Sequence, residues 1–123
     1  MKYFAISLGG ILGANSRYLI AEWAAQRFGA GFPYGTFIIN ISGSFLLGFF
    51  MAFLQDRAFI HPNYRLFFAT GFCGAYTTFS TFTYESLRLW QDGSFLLAIT
   101  NLLGSLAVGM FGVLLGFVFG RMI

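Results

Sequence analysis

The chain has 123 residues, of which 58% are hydrophobic, 21% aromatic and only 9% charged. A water-soluble domain normally devotes about 25% of its residues to Asp, Glu, Lys and Arg, so this composition excludes a soluble fold. The formal charge of +3 comes from scattered basic residues that form no patch or stripe, which argues against a nucleic-acid partner.

The few charges are also unevenly placed. No Asp, Glu, Lys, Arg or His occurs between Arg27 and Asp56, between Arg65 and Glu85, or between Asp92 and Arg121. Each gap can hold the roughly 20 apolar residues that cross a hydrocarbon core of about 30 Å. With the apolar start of the chain, the pattern predicts an all-α membrane protein: one domain over residues 1–123 with spans at 4–27, 33–54, 66–90 and 94–120.

The first span opens like a signal peptide at Met1-Lys2-Tyr3-Phe4, but its apolar run continues past Gly13 without a small-residue cleavage site, so it reads as retained. Gly9 and Gly13 stand four apart, the spacing of a close-packing face in lipid, where no hydrophobic drive pulls helices together. Arg17 lies well inside this span. An arginine at that depth is functional, paired with a residue such as Glu22, or drawn out to the interface.

The second span carries Asn40 near its middle, and a buried amide must find partners. Its two N–H donors suit an anion, and they suit interhelical hydrogen bonding equally. Ser44 with Gly48 reads as a packing face. In the following connection, His61 beside Pro62 reads as incidental.

The third span is anomalous. From Thr70 to Glu85 it runs Thr-Gly-Phe-Cys-Gly-Ala-Tyr-Thr-Thr-Phe-Ser-Thr-Phe-Thr-Tyr-Glu, placing two glycines ahead of a cluster of hydroxyl residues at membrane depth. Glycine and β-branched threonine both disfavour helix, which predicts a break across Gly74 to Thr77; a continuous helix whose hydroxyls bond back to the preceding turn is the other reading. Freed backbone groups in lipid need internal partners, and carbonyls at such breaks commonly hold cations. Beyond the break, Thr78, Thr81 and Glu85 share one helical face beside Phe79 and Phe82. The electropositive edge of a phenyl ring attracts an anion without trapping it, although either ring can equally be apolar filler. The lone Cys73 reads as a packing residue.

In the fourth span, Gly112, Gly116 and Gly120 repeat the packing spacing, while Asn101 and Ser105 pose the same ambiguity as Asn40. An even number of spans puts Lys2, Arg57, Arg65 and Arg121 on one side and Arg27 and Arg88 on the other. This weak bias permits insertion both ways and an antiparallel homodimer. The sequence contains no catalytic triad, paired buried carboxylates, phosphate loop or metal-ligand cluster, so an enzyme is not expected.

Three motifs carry the reading further: Gly13-Ala14-Asn15-Ser16-Arg17-Tyr18; Gly35-Thr36-Phe37-Ile38-Ile39-Asn40 with Gly43; and the run from Thr70 to Phe82. In order, spacing and span assignment they resemble the Fluc fluoride channels, also called the CrcB family, over the whole chain. The resemblance implies a fluoride-selective passive channel in the bacterial inner membrane. It further implies an antiparallel, dual-topology homodimer with two pores and a broken third helix, held around one structural sodium ion. On that resemblance, Phe79, Phe82 and Asn40 match pore residues, and Ser80, Thr81 and Glu85 match a polar row beyond the rings. Arg17 matches a vestibule arginine, while Gly74 and Thr77 match the positions whose main-chain carbonyls hold sodium. A proton-coupled anion antiporter using Glu85 and a small multidrug exporter are the competing readings.

Overall fold

Backbone groups without water must bond within their own segment, and the described residues accordingly contain helices and no strand. The computed structural model describes residues 1–55 and 57–123; Asp56, which opens the second connection, lies outside them. The helices are α1 (Lys2–Phe28), α2 (Tyr34–Gln55), α3 (Pro62–Arg65), a π-helical stretch (Leu66–Cys73), α4 (Gly74–Tyr76), α5 (Phe79–Gln91) and α6 (Phe95–Met122). They form four long helical stretches matching the expected spans within a few residues, and the third is assembled from pieces. Among them, α2 and α6 are each long and apolar enough to cross a membrane. The other two stretches fall short by composition or continuity, since α1 contains Arg17 and Glu22 and the third changes geometry twice.

Local signals explain the ends. α1 ends with the Gly29 N–H on Ala25 O, after which the positive φ of 80° at Gly29 turns the chain out of the helix. α3 starts at His61, whose Nδ1 accepts from the Asn63 N–H at 3.1 Å, with Pro62 in the first turn. His61 is thus a cap, in keeping with an incidental role. α5 reverses into α6 at Gly93, φ 81°.

Small residues set the packing. A Cβ built on Gly116 would overlap Phe45 O, one on Gly48 would overlap Val113 O, and one on Gly120 would meet Ala52 Cβ at 2.9 Å. Consequently α2 and α6 meet nearly backbone to backbone. The Gly109 Cα faces Ser44, whose Oγ a Cβ there would meet at 3.8 Å. On the other side, a Cβ on Gly71 would lie 2.6 Å from Ile6 O, and one on Gly13 would collide with Phe72 O. The glycines of α1 therefore seat the π-helical stretch, and Cys73 is 1% exposed in that contact. By contrast, Leu103, Leu106, Phe111 and Leu114 of α6 are exposed. Such a surface suits lipid or a second subunit rather than water.

Candidate functional site

The residues singled out by sequence converge where the third helical stretch changes course. The approach is π-helical, with the Gly74 N–H reaching back to Ala69 O. Wide turns of this kind concentrate at functional sites, and no feature of the sequence signalled it. Gly74 itself is helical, at φ −61° and ψ −38°. The departure comes later than expected: Thr77 (φ −81°, ψ 157°) and Thr78 (φ −149°, ψ 115°) are extended between α4 and α5. There the Thr78 N–H and C=O and the Thr81 N–H find side-chain partners in place of helical ones.

Asn40 supplies the main replacement. Its Oδ1 accepts from the Thr78 N–H at 2.8 Å, and its Nδ2 donates to Thr78 O at 3.0 Å. Because the backbone donor and acceptor are fixed, this pairing also fixes which end of the amide is which. One of its two N–H donors is thereby used as interhelical hydrogen bonding. The Thr78 hydroxyl then caps α5 by accepting from the Thr81 N–H at 3.2 Å.

The departure from helix frees several backbone carbonyls. In a continued α-helix the Thr78 N–H would serve Gly74 O, and the Thr81 N–H would serve Thr77 O. Both donors are diverted to side chains, to Asn40 Oδ1 and Thr78 Oγ1. Ala75 O, between them, accepts from Arg17 Nε at 3.1 Å. Arg17 therefore takes a carbonyl of the bend rather than the Glu22 carboxylate as its partner. Gly74 O and Thr77 O are thus among the carbonyls that lose their helical donors, together with Tyr76 O. Neutral carbonyl oxygens without a carboxylate suit a hard monovalent ion.

Gly43 closes the site from α2, since a Cβ there would overlap Thr77 Cγ2 and meet Tyr76 Cδ2 at 3.0 Å. Tyr76 is 4% exposed, and its hydroxyl shares a 2.9 Å hydrogen bond with Ser42. Sequence reasoning passed over Tyr76 and Ser42, because a tyrosine and a serine amid so many aromatic and hydroxyl residues carry no signal of their own.

Beyond the bend, the Phe79 and Phe82 rings lie 6.1 Å apart, tilted by 54°. Phe79 is 77% exposed, so this protomer alone encloses no passage around it. Thr81 and Glu85 line a cavity of about 470 Å³ reached also by Thr36 and Arg88. Glu85 Oε1 is enclosed there with no hydrogen-bond donor among the described residues. Ser80 is exposed and does not line that cavity, so the expected row of Ser80, Thr81 and Glu85 divides around α5. Asn101 and Ser105 join the remaining face of α5 through Ser86, with Asn101 Nδ2 donating to Ser86 Oγ at 2.8 Å.

Apolar helical stretches, one of them interrupted at Thr77 and Thr78 with freed backbone groups taken up by side chains, define an integral membrane protein. The chain belongs to the family described as CrcB-like protein, Camphor Resistance (CrcB), whose model matches residues 4–117. It is 48% identical over 123 residues to a protein named fluoride-specific ion channel FluC from Acidobacterium capsulatum, covering 100% of this chain and 98% of that one. A protein of the same name from Sulfurihydrogenibium sp. is 42% identical over 122 residues, covering 99% and 98% of the two chains. One from Clostridium perfringens is 47% identical over 111 residues, covering 90% and 87%.

Proposed function

We propose that this protein is a fluoride-selective passive channel that lets cytoplasmic fluoride leave a bacterial cell through the inner membrane, which it crosses several times. The observation that carries the reading is the near-complete overlap with relatives named fluoride-specific ion channels. The chemistry agrees with it. Phe79 and Phe82 offer ring edges, Asn40 retains one N–H beyond that given to Thr78 O, and Arg17 keeps its terminal nitrogens beyond the Nε given to Ala75 O. Ser80, Thr81 and Glu85 extend polar surface away from the rings.

Two copies running antiparallel complete the site. The exposed Gly74, Phe79 and Ser80 would be covered by the partner, which would also enclose the phenyl rings that one protomer leaves open. The carbonyls of Gly74 and Thr77 from both copies would hold a structural sodium ion, with the diverted donors of Thr78 and Thr81 as the supporting observation. A cation there offsets the mutual repulsion of converging carbonyl dipoles.

Passive conduction suffices for export. Hydrogen fluoride crosses lipid as a neutral acid and dissociates in a less acidic cytoplasm. A membrane potential of about 100 mV, inside negative, is worth roughly 2.3 kcal/mol per charge. At about 1.4 kcal/mol per tenfold, that holds internal fluoride on the order of 50-fold below external. No catalytic step is involved.

The enclosed Glu85 carboxylate is what a proton-coupled antiporter would use, and one assay separates the two readings. Purified protein in liposomes should release fluoride, with chloride retained, when a potassium gradient and valinomycin supply the only driving force. Release that requires a proton gradient would favour the antiporter, and no fluoride release would end both.

A further inference from the structure

Apart from its two flanking connections, α5 is held to the protomer mainly by α6, with a smaller contact to α2. That contact contains a directional chain of buried hydrogen bonds. Ser105 Oγ donates to Asn101 Oδ1 at 3.2 Å, Asn101 Nδ2 donates to Ser86 Oγ at 2.8 Å, and Ser86 Oγ donates to Phe82 O at 2.8 Å. Ser86 is 4% exposed and Asn101 1%, so water does not share these bonds. The chain ends on the backbone of one of the two phenylalanines.

A purely adhesive contact would not need this chemistry. The rest of α6 associates through glycines and apolar side chains, which tolerate small slides and rotations. A buried amide bonded to one hydroxyl allows a single rotation and rise, as a lone asparagine sets register in a coiled coil. The N-terminus of α5 is held in the same way, by Asn40 of α2 on Thr78. Thr78 and Ser86 are about two helical turns apart, and Phe79 and Phe82 lie between them. The rings thus sit on a stretch of α5 pinned on either side, at Thr78 and at Ser86, by asparagines from different helices.

Resting on the channel reading above, we propose that Asn101 and Ser86 are positioning residues that fix the rotation of α5, and hence where the phenyl edges meet the anion. Neither is itself a ligand of the ion. Ser105 orients the Asn101 amide. A small displacement of the rings then changes conduction by each channel rather than the number of channels that assemble.

The test uses the reconstituted full-length protein in planar bilayers, reading unitary fluoride current and the fluoride-to-chloride permeability ratio. Neither quantity depends on how much protein folds. Ser86→Ala should lower the unitary current about tenfold, since misplacements of about 1 Å at a reacting centre carry effects of this order or more. Ser86→Thr keeps the hydroxyl and should restore it. The pair Ser86→Ala with Asn101→Leu removes both partners of the interhelical bond, and the Ser105 hydroxyl it frees can bond back to a carbonyl of the preceding turn, so it should assemble yet conduct like Ser86→Ala. Parental current and ratio in both Ser86→Ala and the double variant would overturn the inference. So would failure of all three variants to assemble, because the network would then be structural support alone. A parent that carries no fluoride current would overturn the channel reading itself, and this inference with it.

Discussion

Asn40 meets Thr78 through both ends of its amide, and that geometry decides what its replacement should do. Asn40→Asp keeps an acceptor for the Thr78 N–H but removes the donor to the part-buried Thr78 O, a hydrogen bond worth about 0.5–1.5 kcal/mol. It also places a carboxylate where an anion should pass. Fluoride efflux from liposomes should be abolished, and an Asn40→Asp protein that conducts like the parent would remove Asn40 from the pathway. Phe82→Ile tests a separate property, since it keeps apolar bulk and discards the aromatic edge. Flux should fall by more than tenfold while thermal stability changes by only about 1–3 kcal/mol, the ordinary range for core shape changes. Equal flux would make the ring filler.

The long helices meet through their glycines. Gly116 and Gly48 let α2 and α6 approach until a single methyl has no space, whereas Gly104 on the same α6 has nothing within 4 Å of an added Cβ. Gly116→Ala should therefore cost about 1–3 kcal/mol through overpacking. Gly104→Ala should be neutral or stabilising by up to about 1 kcal/mol through helix propensity. Thermal unfolding of detergent-solubilised protein followed by size exclusion checks both, and equal midpoints would contradict close approach as the basis of the α2–α6 pair. The four-residue glycine spacing made these faces legible in the chain itself. The π-helical stretch was not legible, because no residue type specifies it in isolation.

The whole molecule raises the question of orientation and assembly. With Lys2, Arg57, Arg65 and Arg121 set against Arg27 and Arg88, insertion should occur both ways. Reporters fused at Ile123 should be active on both sides of the membrane, and activity on one side only would contradict the dual-topology dimer. The sodium ion proposed for the centre of that dimer makes a further demand. Exhaustive replacement of sodium by a large organic cation should lower the stability of the dimer and its fluoride flux together. Unchanged values for both would exclude the ion. Since the supposed ligands are main-chain carbonyls, Thr77→Ser should leave the response to sodium intact.

Hydropathy alone determined the all-helical membrane class and the approximate ends of four helical stretches, because apolar length and sparse charge are summed along the chain and need no knowledge of neighbours. Glycine spacing likewise announced which faces pack, and the cluster of Gly and Thr favoured a departure from helix in the third stretch, with a continuous helix as the alternative. Only the tertiary structure placed the departure at Thr77 and Thr78 instead of across Gly74 to Thr77, since its position depends on where Asn40, thirty-eight residues earlier, offers an amide. It also gave Arg17, whose partner the sequence left open, a bond to Ala75 O, and joined Asn101 to Ser86. A polar side chain in an apolar segment declares that it needs a partner, but which partner it takes is decided by the helices that fold against it.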